Sequence, residues 1–195
     1  PMRSPVFFDL EYTAWEGSEA NRWLKPGEFR EVVQIGAVKV DGAGLEAIEE
    51  FEMLVRPRIN TTLSSYFENL TGITNMALAA RGTDFREAYA RFAAFAGEGP
   101  IVSFGRDDIV LAHNLALYGI RGAPPLPVHR NIAPWLNENG IVTKGLHACD
   151  VARACGAEFK SREHDALEDA RSLVAGVRTL IGRGAFNVFA NGCSS

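Results

Sequence analysis

The hexapeptide Val6-Phe7-Phe8-Asp9-Leu10-Glu11 restricts the fold more than any other stretch of the chain. An apolar run this short, opening on β-branched and aromatic residues, reads as a buried strand. Side chains alternate along a strand, so Asp9 and Glu11 share one face while Phe8 and Leu10 share the other. Strand rise places their Cα atoms roughly 6.6 Å apart. Two carboxylates beside a core are costly unless something positive holds them. Oxygen-only ligands favour a hard divalent ion, Mg²⁺ or Mn²⁺. Metal-assisted phosphoryl chemistry is therefore the first expectation.

The strands and helices that follow suggest one α/β domain over residues 1–195, with a core from about 5 to 182 and a C-terminal tail at 184–195. Residues 31–40 alternate into a second strand that ends at the turn Asp41-Gly42-Ala43-Gly44. Ile48, Phe51, Met53 and Val55 suggest a third strand, stopped by Pro57. Short turns between the last two predict an antiparallel meander. Helices are expected at 64–70, after a Thr83 cap, at about 108–118 and around 146–155, with a fourth strand over 100–104. In the last helix, Asp165 and Glu168 have the spacing of a capping box. Ala166, Ala170, Leu173, Val174, Val177 and Ile181 form its apolar stripe. His164 then lies just outside that helix and Asp169 in its first turn. Phe186 and Phe189 of the tail are candidates to dock, and the end from Gly192 is expected to fray.

Composition narrows the partners. With 47% hydrophobic residues and a formal net charge of −4, the chain has no broad basic surface for long duplex DNA. A carboxylate cluster offset by metal ions is compatible with that balance. No apolar run approaches the ~18 residues of a membrane span, and the first five residues are too short and polar for a secretory signal. Cys149, Cys155 and Cys193 lack zinc spacing, so reduced thiols in a cytoplasmic protein are expected.

Taken singly, the remaining acids carry little. Asp107 and Asp108 open a helix, where acids complement the dipole, and helical phase does not separate them. The order of the motifs carries more. Phe7-Phe8-Asp9-Leu10-Glu11-Tyr12-Thr13, Val33-Gln34-Ile35-Gly36-Ala37-Val38, Leu70-Thr71-Gly72-Ile73-Thr74 and His164-Asp165-Ala166-Leu167-Glu168-Asp169-Ala170 together resemble the DEDDh 3′-to-5′ exonucleases. That family includes RNase T and the proofreading subunit of bacterial DNA polymerase III. Where many members carry His-Asn-x-x-Phe-Asp, this chain has Ser103-Phe104-Gly105-Arg106-Asp107-Asp108. That form resembles the branch of histone-mRNA 3′-end exonucleases and sporulation-inhibitor proteins. Matching Ser-Phe-Gly-x-x-Asp selects Asp108 as the ligand and tilts the substrate toward RNA.

The resemblance implies an RNase H-like fold: a mixed central β-sheet, antiparallel meander plus parallel strands, flanked by α-helices. It implies two Mg²⁺ or Mn²⁺ ions per active site, held by Asp9, Glu11, Asp108 and Asp169. His164 would be the general base, for which an imidazole with an ordinary pKa of about 6.5 is suited. The partners would be 3′ ends of single-stranded RNA or DNA, bound by a monomer or homodimer and cut to nucleoside 5′-monophosphates. Tyr12, Leu70 and Ile73 are candidates to contact the terminal base, and Thr13 the terminal sugar. Two other readings stay open. Asp9-Leu10-Glu11-Tyr12-Thr13 differs by one carboxylate from the Asp-x-Asp-x-Thr of haloacid-dehalogenase phosphatases, and an exonuclease-like domain could bind nucleic-acid ends without cutting.

Overall fold

The computed structural model describes residues 4–160, 162 and 164–190. Three strands open the fold: β1 (Val6–Tyr12), β2 (Val32–Val40) and β3 (Ala47–Arg56). They pair antiparallel, β2 and β3 across a short turn and β1 and β2 across a long loop. Helices α1 (Ser65–Thr71) and α2 (Asn75–Arg81) follow, then a two-residue strand β4 (Thr83–Asp84) parallel to β3 and helix α3 (Phe85–Ala96). Strand β5 (Ile101–Ser103) pairs parallel with β1 and leads into α4 (Asp107–Leu117). Strand β6 (His129–Asn131), α5 (Ala133–Glu138), a 3₁₀ turn at Ala148–Asp150, α6 (Val151–Ala154) and α7 (Ala166–Gly182) complete the chain. The mixed sheet has the order β4-β3-β2-β1-β5-β6 and carries helices against both faces.

Alternation along β1 divides the core. Val6, Phe8 and Leu10 face α3 and α4, packing with Phe85, Phe92 and Leu111. Phe7 faces the other way, with Val38, Leu173 and Val177, against α7. Asp9 and Glu11 follow Phe7 in phase, so they lie on the α7 side, where the apolar layer stops.

Two features seat α7. Gly36, opposite Asp9 in the ladder, has no side chain; a Cβ there would stand 2.1 Å from the Leu167 nitrogen. Gln34, opposite Glu11, accepts a 3.0 Å hydrogen bond at Oε1 from the Ala166 N–H and donates from Nε2 to Glu52. The Asp165 carboxylate accepts from the N–H groups of Leu167 and Glu168 and caps the helix. Glu168 does not complete a reciprocal capping box; it pairs with Arg171.

Elsewhere, several expectations shift. Asp84, not Thr83, caps α3, accepting from the Arg86 N–H; the helix begins at Phe85, directly after the two-residue strand. The helix expected around 146–155 is split into a 3₁₀ turn and one short helical turn. Helix α2, strand β6 and helix α5 were not read from the sequence. Of the two tail phenylalanines, Phe189 docks edge-on against Phe7 at 5.4 Å, while Phe186 stays exposed. Cys149 and Cys155 are buried free thiols; Cys193 and the end from Gly192 lie outside the described residues. Among the described residues, no helix is long and apolar enough to cross a membrane.

Candidate active site

The end of β1, the start of α4 and the start of α7 meet at a cavity of about 390 Å³. Asp9, Glu11, Asp107, His164 and Asp169 all line it. Carboxylate oxygens of Asp9, Glu11 and Asp169 lie within 4.8 Å of one another. Burial pushes the Asp9 and Glu11 carboxyls well above the usual range, and repulsion from Asp107 and Asp169 adds to it. Burial likewise pushes Asp107 up to about 7, against a hydrogen bond from the Ser103 hydroxyl and the pull of Arg30. Oδ2 of Asp107 is buried without a hydrogen-bond partner. Crowded carboxylates, with an oxygen aimed at no protein donor, fit a hard divalent cation.

The residue that the Ser-Phe-Gly-x-x-Asp match selects, Asp108, is not among those lining the cavity. Asp107, not Asp108, reaches the cavity. Asp108, the next residue in the first turn of α4, is engaged elsewhere. There it takes a bidentate pair from the Arg106 guanidinium, 2.9 Å at each oxygen, and lies 3.3 Å from His129 Nδ1. The Arg106 hydrogen bonds hold its carboxyl below the usual range. The physical reason is β6: it sets His129 beside β5, which gives Asp108 a partner away from the acids. His129 Nε2 in turn lies 2.9 Å from the Ser103 hydroxyl. A chain of polar contacts thus runs from Arg106 through Asp108, His129 and Ser103 to Asp107.

His164 occupies a turn immediately before α7, in a left-handed conformation at φ +57°. Histidine is among the residues that tolerate this region. Its ring stands edge-on to that of His147, with centroids 6.0 Å apart. His147 lines the same cavity, with Trp15, Trp23, Tyr66 and Phe104. None of these is a site candidate from the sequence: single aromatic or histidine residues carry no periodic signal that would mark them.

The residues expected to touch the terminal nucleotide separate into two pairs. Tyr12 and Leu70 line the cavity. Burial raises the Tyr12 phenol to about 12, so it stays protonated at neutral pH. Thr13 and Ile73 do not line it. The Thr13 hydroxyl donates to the Phe29 carbonyl at 2.5 Å and accepts from the Glu31 N–H, which commits it to closing the loop between β1 and β2. Ile73 is buried with Leu63, Phe67 and Leu78.

A comparison with curated proteins by sequence gives no match. Among solved structures, the chain is similar to the nuclease domain of 3′hExo bound to rAMP, a DEDDh family member: TM-score 0.79, 21% identity, 98% of each chain covered. It is also similar to a 3′-exonuclease that recognises the histone mRNA stem-loop, with TM-score 0.76, 20% identity, and 94% and 84% covered. E. coli exonuclease I in complex with single-stranded DNA gives TM-score 0.68 at 16% identity, over 94% of this chain and 41% of that one. The RNase T exonuclease family matches residues 6–176. With that match spanning most of the chain, and the acids and histidine gathered at one cavity, the protein belongs to the RNase T family of exonucleases.

Proposed function

We propose that this enzyme removes nucleotides one at a time from the 3′ end of single-stranded nucleic acid, RNA in preference to DNA, and releases nucleoside 5′-monophosphates. The observation that carries this reading is the convergence of Asp9, Glu11, Asp107 and Asp169 beside His164 at one open cavity. The RNA preference is supported by the similar folds that bind rAMP and a histone mRNA stem-loop.

Asp9, Glu11, Asp107 and Asp169 would hold two Mg²⁺ or Mn²⁺ ions, with Asp107 taking the place expected of Asp108. When bound, such a pair polarises the scissile phosphate and lowers the pKa of water. His164 accepts the proton of the attacking water at a ring nitrogen. The water oxygen bonds to phosphorus as the bond to the 3′-oxygen of the penultimate nucleotide breaks, and that oxygen leaves as a hydroxyl after taking a proton from solvent. Tyr12 and Leu70 flank the terminal nucleoside. Contact with phosphate and sugar instead of base edges accounts for low sequence specificity.

The phosphatase alternative is not favoured. Its chemistry belongs to a strand followed by a crossover helix, whereas β1 here continues into an antiparallel partner. The deciding experiment is a time course on 5′-labelled single-stranded RNA and DNA with Mg²⁺, Mn²⁺ or chelator, resolved to single nucleotides. A ladder shortening from the 3′ end, abolished by chelator and faster on RNA, is expected. Intact oligonucleotides in both metals would overturn the proposal.

A further inference from the structure

A second cavity of about 410 Å³ adjoins the first and shares Trp23 with it. The loop between β1 and β2 forms one wall through Arg22, Trp23, Phe29 and Arg30, and α4 forms the other through His113. Asp107 and His113 lie on the same helix, so the helical rise puts the second cavity about 9 Å further along the axis from the acids. Its polar character is the inverse of the first: the acids give way to two arginines and a histidine. The acid in this lining, Glu28, is already engaged, accepting from the Ser18 hydroxyl at 3.1 Å with Lys25 at 4.0 Å.

The wall is built rather than accidental. Trp23 donates from its indole to the Thr13 carbonyl at 2.9 Å. Its ring meets Tyr12 edge-on at 5.4 Å, and the Arg30 guanidinium lies over both rings at 5.6 and 6.0 Å. Arg22 and Trp23 are both in the left-handed region, at φ +56° and +54°. Neighbouring non-glycine residues hold that conformation only when their surroundings impose it. Arg22 and His113 are exposed and make no ion pair among the described residues.

We propose that this trough binds the single strand just upstream of the terminal nucleotide, Arg22 and His113 contacting its phosphates and Trp23 and Phe29 offering faces to its bases. The inference rests on the exonuclease reading of the first cavity. Aromatic faces beside cations are what a sequence-tolerant single-strand site requires. Arg30, stacked on the rings between the two cavities, links them. The enzyme therefore grips more than the nucleotide it removes, and its efficiency rises with substrate length.

The test measures kcat/KM on single-stranded RNA of two, four, eight and twelve nucleotides for the wild type and for the Arg22→Ala/His113→Ala variant. A second arm measures binding of a fluorescent 12-mer in chelator by anisotropy across a salt series. The ratio of efficiency on the 12-mer to that on the dinucleotide should fall at least tenfold in the variant, through KM more than kcat. The dependence of log K on log salt should flatten by about 0.7 for each phosphate that the variant no longer neutralises. Wild-type efficiency that is flat with length, or a variant that keeps the wild-type ratio and salt slope, would overturn the trough. A wild type that cuts no oligonucleotide of any length would instead overturn the exonuclease reading, while the anisotropy arm still reports on the trough.

Discussion

The side chain of Gln34 accepts a hydrogen bond from the backbone N–H of Ala166, the first residue of α7, across 132 positions of sequence. Gln34 pairs with Glu11 across the β1–β2 ladder, and Gly36 pairs with Asp9. The strand that neighbours the two acids is thus also the seat of the helix that delivers His164 and Asp169. Site assembly and helix docking are one event.

Gly36→Ala tests that coupling. Its Cβ would meet backbone atoms of Ala166 and Leu167 at 2.1 to 2.5 Å, and backbone cannot rotate away as a side chain can. Overpacking of this kind costs about 1–3 kcal/mol. Urea unfolding should show that loss, and calorimetric titration with Mn²⁺ should show weakened binding, because α7 must move off the acids. A variant that loses stability but binds Mn²⁺ like the wild type would separate the seat from the site.

Asp107→Asn should cost more Mn²⁺ affinity than Asp108→Asn. Asp107 presents an unbonded buried oxygen to the cavity, whereas Asp108 is taken up by Arg106 and His129. Changes in residues that only orient a ligand typically cost roughly 10–100-fold in metal affinity. Asp108→Asn should lie at or below the low end of that range, and Asp107→Asn beyond it. The opposite ranking would return the ligand role to Asp108.

That exchange shows where sequence stopped being sufficient. The pair of acids on β1, the meander and the last helix, with Asp169 in its first turn and His164 just before its cap, were legible because alternation and capping are local rules. The choice between Asp107 and Asp108 depended on His129, 21 residues beyond Asp108, and on a three-residue strand with no periodicity to detect. Thr13 looked like a sugar contact because it follows the acids in the motif. Its hydroxyl is instead committed to Phe29 and Glu31, which only the path of the long loop reveals. Helix α2 and helix α5 are 7 and 6 residues long and bury only one and two residues, so no apolar stripe stands out.

Metal and pH should act on stability together. Without metal, the folded Asp9, Glu11 and Asp107 carboxyls are raised above their unfolded values, Asp107 from 3.8 to about 7. Between those values the folded state binds more protons than the unfolded one, so stability falls as pH rises. Below the unfolded value both states are protonated and the penalty is absent; above the folded value it is complete. The metal-free protein should therefore melt higher at pH 5 than at pH 8. Asp84 and Asp108 have lowered values and lose their contribution only in stronger acid, outside that window. Mn²⁺ should raise the melting temperature most at pH 8 and flatten or reverse the slope. A metal-free melting temperature that rises from pH 5 to 8 would show that burial and repulsion do not hold these carboxyls up.

His164→Ala should separate chemistry from metal binding. The residue stands in a turn outside α7, held at positive φ, and reaches the cavity beside the acids without belonging to their cluster of close oxygens. Removing a general base typically costs 10²- to 10⁴-fold in turnover. The helix start remains seated by Gln34 and capped by Asp165, so Asp169 keeps its place. Calorimetry should accordingly give Mn²⁺ binding close to wild type while single-nucleotide release slows by at least a hundredfold. His147, whose ring faces that of His164, is the internal control. If His147→Ala abolishes turnover and His164→Ala leaves it near wild type, the base is His147. If both lose metal binding along with turnover, the histidines serve the ions and not the water.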